Sequence, residues 1–343
     1  MHMYDEIMEQ PKILNECRDS SAGVIESVVK KIRIKKPGCI IIAARGTSDH
    51  AAIYAKYCFE IMTGIPVSLA APSVVTLYDG KMDYRDTVVI GITQSGMAED
   101  VRLLIREAKK QGALTIACTN ALSSPVANEA EFHLYCNAGK EKAVAATKTF
   151  MAQLYLMAQL VAHLAGNEKL IQSLDGLSGG VQTLLKDADE IAAKMNDYAN
   201  IDRCFILGRG FVYPIVREAA LKMQETTYTL SYAYAISDFW HGPLAMVDKG
   251  TPVFLYASGG AVLQDETEIL EKLKEIGADI MAVTEEKTIA DMANRSVMIP
   301  GAEPAVLPFY HLVAAQLFAY GLTKAKGLDP DKPRYLNKVT ITK

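Results

Sequence analysis

A chain of 343 residues, 50% hydrophobic and 22% charged, is long enough for two domains and can bury a sizeable core in each. Its formal net charge of -4 gives no global attraction to nucleic acid or to anionic membranes. Six scattered cysteines, with no CxxC pair and no Cys/His cluster at metal spacing, argue for buried thiols in a reducing compartment rather than a disulfide framework or a zinc site.

The opening MHMYDEIMEQPKIL is mixed and acidic, unlike a signal peptide, and no apolar run reaches the roughly 20 residues of a membrane helix. The expectation is a cytoplasmic α/β protein. Residues 1–34 read as helical, with Pro11 punctuating an entry segment and a second helix over Gly23 to Lys31. The basic run Lys30 to Lys36 reads as a solvated helix end. Pro37 and Gly38 stop it, and Cys39 to Ala44 form a buried-strand pattern followed by Arg45, Gly46, Thr47, Ser48 and a helix. Val67 to Ala70 is a short strand. The apolar run Val88 to Ile92 leads into Thr93, Gln94, Ser95 and Gly96, and then into a helix carrying Val101, Leu104, Ile105 and Ala108. This predicts a hydroxyl-bearing loop at a helix N-terminus, where free backbone N–H groups suit a phosphate dianion. Ser95 is equally suited to capping that helix.

Ala113 to Cys118 is a further strand, Ser123 to Pro125 a turn, Phe132 to Cys136 an edge strand, and Lys142 to Ala165 a long helix. Two amphipathic helical stretches follow from about Glu168 to Asn200. Then the pattern restarts: Cys204 to Gly210 mirrors Ile40 to Gly46, Val253 to Gly259 mirrors Ile90 to Gly96, and Asp279 to Thr284 mirrors the strand after Gly112. A self-similarity about 164 residues long is too long for a solenoid period and argues for two copies of one α/β domain. The second copy has Phe211 and Val212 after Gly210 in place of Thr47 and Ser48, so phosphate binding is expected of the first copy. A dinucleotide reading starts at Gly208 and Gly210 but fails at Tyr213, where the third glycine belongs, and there is no Walker A lysine motif.

Three further stretches carry chemistry. Glu218, Lys222 and Glu225 share one face of a helix predicted over Tyr213 to Thr229, either as surface ion pairs or as buried working groups. His241 lies in a Phe-Trp-His-Gly-Pro loop, beside the sole Trp, where a fixed imidazole can shuttle protons. Lys338 closes a tail stiffened by Pro330 and Pro333.

With these runs in view, the chain resembles the sugar isomerase (SIS) domain family. The resemblance is strongest to the isomerase half of glutamine:fructose-6-phosphate aminotransferase and to glucosamine-6-phosphate deaminases that lack a glutaminase. It rests on YDEIMEQP, RGTSDHA, TQSG, NAG with EKAVAATK, LGRG, EAALKMQE, HGPLA and DPDKPRYLNKVT, in order along nearly the whole length. The resemblance implies two tandem SIS domains, each a mostly parallel, flavodoxin-like sheet flanked by helices. The expected division is a helical segment over 1–34, a sugar-phosphate-binding domain over 35–166, a helical connection over 167–200, a catalytic domain over 201–325 and a tail over 326–343.

It further implies that Ser48, Thr93, Gln94 and Ser95 hold a sugar phosphate, with Thr47 and Val144 lining the pocket. Glu225 is then the base between C1 and C2, and His241 the ring opener, contributed across subunits of a homodimer. Lys222 lies near the reacting carbons, and Lys338 forms a Schiff base with the open-chain ketose. No cofactor, metal, nucleic acid or membrane partner is implied. Ala98 and Ala146 stand where the synthase pattern has Thr and Ser, Asp238 where a Glu usually precedes the HGP loop, and Tyr232 in a family Ala-Glu-Ala stretch. The EKAVAATK run resembles the deaminase branch, and only about 35 residues precede the first strand. The expected activity is conversion of glucosamine 6-phosphate to fructose 6-phosphate and ammonia. Cleavage of a fructosamine-type 6-phosphate adduct and non-catalytic sugar-phosphate sensing are the alternatives.

Overall fold

The computed structural model describes residues 1–338; the end of the Asp329 to Thr340 run lies outside the described residues. Packing sorts the chain into two units that interleave in sequence. One comprises Glu9–Glu141, Lys148–Ser178 and the chain from Asn337; the other comprises Met1–Met8, Lys142–Thr147 and Gly179–Leu336.

The first unit holds a parallel sheet of β1 (Cys39–Ala43), β2 (Val67–Leu69), β3 (Thr87–Thr93), β4 (Leu114–Thr119) and β5 (Phe132–Tyr135), in the order β2-β1-β3-β4-β5. The second holds β6 (Arg203–Gly208), β7 (Leu230–Ala235), β8 (Pro252–Tyr256), β9 (Asp279–Thr284) and β10 (Arg295–Met298), in the order β7-β6-β8-β9-β10. Both sheets have the same doubly wound order, as expected of two copies of one α/β domain. In each, the first strand of the copy pairs with the third, while their connections leave in opposite directions. Ligands of such sheets lie in the crevice at the carboxyl ends of those two strands.

β3 is buried along its whole length, which explains its unbroken apolar run. The Glu99–Lys110 helix covers it so closely that a Cβ on Gly91 would lie 2.5 Å from Ile105 Cδ1. Ile41, Val89, Val101, Leu104, Ile105 and Ala117 form the core there, and Phe205, Leu207, Leu255, Ile269, Leu270 and Ile280 do the same in the second unit.

Several boundaries differ from the sequence expectation. Gly23 does not divide the first segment, since one helix runs over Gln10–Lys35 with Pro11 in its first turn, where a missing N–H costs nothing. The long helix starts at Lys148, not Lys142. The N–H groups of Lys142 and Ala143 instead donate to the Glu6 carboxylate at 2.5 and 3.2 Å, so this segment is pinned in non-helical form. The helix over Leu307–Ala325 and strands β7 and β10 lacked a sequence signal. All six cysteines are free, and all but Cys39 are buried. No helix among the described residues is long and apolar enough to cross a membrane.

Candidate active site

In the first unit the loops after β1 and β3 meet the crevice. The Gly46 to Ser48 loop is the one at a helix N-terminus, because Thr47 and Ser48 open the Thr47–Thr63 helix. The Thr93 to Gly96 loop is not, contrary to expectation. Its helix begins only at Glu99, with Ala98 as N-cap and no side-chain cap. Ser95 Oγ accepts the N–H of Met97 at 3.3 Å and so closes a local turn instead. Gly96 has φ +68°, and a Cβ there would lie 2.0 Å from Ser124 Oγ, so the loop geometry requires glycine.

The carbonyls of Gln94 and Gly96 accept from Asn120 and Val126, at 3.0 and 3.2 Å. Among the described residues no acceptor meets the N–H of Ser95 or Gly96. Ser48 Oγ accepts from Gln153 Nε2 at 3.0 Å, which leaves its own proton to donate. The amides of half-buried Ser95 and buried Gly96, with a set of hydroxyls, make an uncharged anion cradle. The cation beside it is committed elsewhere, since Arg45 pairs with the buried Asp100 at 2.9 Å.

Gln153 lies on the Lys148–Ala165 helix, and so does Thr149, four residues earlier and hence on the same face about 6 Å along the axis. The Thr149 N–H donates to Glu141 Oε1 at 3.0 Å, and Lys338 Nζ sits 2.5 Å from Glu141 Oε2. One helical turn therefore separates Gln153, which holds Ser48, from Thr149, whose N–H holds the Glu141 that pairs with Lys338. Gln153 Oε1 and Thr149 Oγ1, both buried, have no hydrogen-bond partner among the described residues. Orphaned buried polar atoms on that face mark a place where a polar ligand or water belongs.

In the second unit the Tyr213–Thr227 helix buries its charges. Lys222 Nζ lies 2.5 Å from Glu225 Oε2 and 3.4 Å from Glu218 Oε1, with Lys222 and Glu218 closed off from solvent and Glu225 22% exposed. Burial works against the ammonium, but Glu218 and Glu225 outweigh it and push Lys222 up to about 12. Lys222 is therefore a fixed cation beside a partly exposed carboxylate, and the row is a buried ion-pair network rather than a set of surface pairs. Val144, half-buried, lies in the segment held by Glu6 and by Gln316, whose Nε2 donates to the Thr147 carbonyl at 3.2 Å. His241 is exposed just past the Ile236–Trp240 helix, with its N–H on the Asp238 carbonyl at 3.1 Å. Its side chain makes no hydrogen bond to Glu225 or Lys222.

The second crevice repeats the architecture of the first, with one difference in what meets its loop amides. Arg209 pairs with Asp265 at 2.5 Å, as Arg45 does with Asp100. The N–H groups of Ser258 and Gly259, at the matching place after β8, donate to the fully buried carboxylate of Glu266 at 2.8 and 2.9 Å. That cradle is filled from within by the chain's own carboxylate. Burial pushes both Glu266 and the neighbouring Glu285 up to about 7. The folded chain thus holds these protons more tightly than an unfolded one with an ordinary glutamate, so their contribution to stability rises as pH falls from about 8 towards 5. The expected gain from Glu266 is at most about 3 kcal/mol. Urea unfolding across that pH range checks it: Glu266→Gln should flatten the slope, and an unchanged slope would refute the assignment.

Signals for Arg45, Asp100, Glu141, Gln153 and Glu266 were absent from spacing alone. An internal comparison of the two copies would have found the Arg-Asp pairs. Among the described residues no group of three or more His, Cys, Asp or Glu is placed to hold a metal ion.

The SIS domain family model matches residues 33–163 and 197–324. The glutamine–fructose-6-phosphate aminotransferase (isomerizing) of Halobacterium salinarum is 34% identical over 356 residues, covering 99% of this chain and 59% of that protein. The chain thus spans about three-fifths of that relative's length. Among solved structures, the C-terminal domain of the Francisella tularensis glucosamine-fructose-6-phosphate aminotransferase superposes with a TM-score of 0.86 at 25% identity, covering 97% of this chain and 98% of that one. A Silicibacter pomeroyi protein provisionally assigned as a phosphosugar isomerase gives 0.87 at 28% identity, covering 96% and 100%.

Proposed function

Because the chain belongs to the SIS domain family, we propose that it is a phosphosugar isomerase-deaminase that converts glucosamine 6-phosphate to fructose 6-phosphate and ammonia. The observation that carries this reading is the array in the first unit: an uncharged cradle at Ser48 and Ser95, and a lysine held by a buried carboxylate that the helix carrying the Ser48 partner fixes in turn. A phosphate anchor plus a held amine suits an open-chain phosphosugar. The curated relative is an aminotransferase that acts on fructose 6-phosphate by its name, and the EKAVAATK run resembles the deaminase branch.

In this reading Thr47, Ser48, Thr93, Gln94 and Ser95 hold the phosphate and Val144 lines the pocket. His241 protonates the ring oxygen during opening. Glu225 removes the C2 proton and returns it at C1, with Lys222 holding its carboxylate in place. Water then adds to the C2 imine and ammonia leaves. Lys338 engages the C2 carbonyl of the ketose. An exposed His241 acts in the site of a second copy of the chain, so the working form is a homodimer.

The test is ammonia release by purified protein from glucosamine 6-phosphate, with galactosamine 6-phosphate and a fructosamine-type 6-phosphate adduct alongside. Ammonia with fructose 6-phosphate as co-product is the expected result. Turnover of only another amine would overturn the substrate while keeping the chemistry, and binding without any turnover would favour a sensor.

A further inference from the structure

The sequence reading gave Glu141 no role, although it opens the most distinctive run in the chain. Its carboxylate is closed to solvent, with one oxygen on the Thr149 N–H and the other 2.5 Å from Lys338 Nζ. An ionised carboxylate is buried at large cost unless it is paired, so the cation is fixed where the acid is. The acid is fixed in turn by the helix that holds Ser48 through Gln153.

We propose that Glu141 is the positioning residue of Lys338: it stores the lysine as an ammonium and takes its proton when the amine attacks the ketose carbonyl. The inference rests on the reading of Lys338 as the Schiff-base lysine. An ammonium has no lone pair and cannot attack, so a base within hydrogen-bond reach is required. Glu141 Oε2 meets that condition. Among the described residues the Cys136 thiol also lies within electrostatic reach of Glu141. Its hydrogen bond with Cys118, together with burial, pushes that thiol well above its ordinary range, so it remains a protonated bystander.

The step balances. A proton passes from Lys338 Nζ to Glu141 Oε2, and the freed lone pair attacks the C2 carbonyl carbon as the carbonyl π pair moves to oxygen. The nitrogen proton passes to that oxygen, giving a carbinolamine. Glu141 then returns its proton to the hydroxyl, which leaves as water while the nitrogen lone pair forms the C=N bond. The product is a protonated Schiff base beside a carboxylate, so the buried anion has a cationic partner at both ends of the step. No outside acid, base or redox partner is needed.

The experiment is reductive trapping with borohydride and fructose 6-phosphate on the full chain, read by peptide mass at Lys338. Wild-type protein is expected to be modified there at neutral pH. Glu141→Gln should be trapped at least about tenfold more slowly at pH 7 and recover towards pH 10, where solvent hydroxide replaces the missing base. Glu141→Asp keeps the charge and should restore most of the rate, which separates proton transfer from a fold defect. Equal trapping of wild type and Glu141→Gln at pH 7 would overturn the role of Glu141 while leaving the Schiff base standing. No label on Lys338 in wild type would overturn both. A Glu141→Gln deficit that persists unchanged at pH 10, with Glu141→Asp equally impaired, would also overturn it, since loss of local structure would then be the cause.

Discussion

Replacing Glu225 with Gln is expected to lower turnover of glucosamine 6-phosphate by about 10²–10⁴-fold, the range a positioned general base supplies, while sugar-phosphate binding is nearly unchanged. The split follows from where the groups lie. The cradle of Ser48, Thr93 and Ser95 belongs to the first packing unit, whereas Glu225 belongs to the second, in a buried row with Lys222 and Glu218. Glutamine keeps the shape of the side chain and removes only its ability to take a proton. Calorimetric binding of fructose 6-phosphate and solvent-hydrogen exchange at C1 measure the two effects separately. Equal loss of both would remove Glu225 from the role of base.

Lys222→Met is expected to be the most destabilising single change, by about 3–5 kcal/mol, the usual cost of removing one partner from a buried pair. Methionine matches the stem in volume, so packing is largely kept. What is lost is the cation facing two carboxylates, one of them, Glu218, fully buried. Adding Glu218→Gln to Lys222→Met should recover part of the loss, because it removes the stranded charge. Urea midpoints of the single and double variants at pH 7 decide the matter, and a single variant within about 1 kcal/mol of wild type would contradict the buried-pair account. The pH dependence has a definite sign. A lysine held at about 12 against an ordinary 10.5 contributes fully below pH 10, and that contribution disappears as pH rises through 12.

The parts of the fold that could be read from sequence are those whose burial leaves a pattern. β1, β3, β4, β6, β8 and β9 are covered on both faces or nearly so and read as apolar runs. β7 and β10 lie at sheet edges, mostly half-buried or exposed, and their mixed composition gave nothing to see. The Leu307–Ala325 helix failed for the opposite reason. It is buried almost throughout, so no polar stripe marks its period. The start of the Lys148–Ala165 helix was misplaced because composition cannot show that Glu6 claims the amides of residues 142 and 143. In the site, hydroxyl loops and the Glu-Lys-Glu row are local in sequence and visible. Glu141 with Lys338, 197 residues apart, and Gln153 with Ser48, 105 apart, are pairings that only a fold reveals.

The Lys148–Ala165 helix is buried on every side from Lys148 to Ala162, so it has little room to bend or slide. On the proposed reading it works as a caliper. One jaw is the hydroxyl at Ser48, held by Gln153, and the other the amine at Lys338, held by Glu141, which the Thr149 N–H of the same helix fixes in turn. On that reading a sugar phosphate with one carbon more or fewer between its ester and its carbonyl is expected to fail to reach both jaws at once. On the same reading length is gauged by a rigid helix rather than by the hydroxyl groups in between, so that epimer choice is free to change without disturbing the gauge.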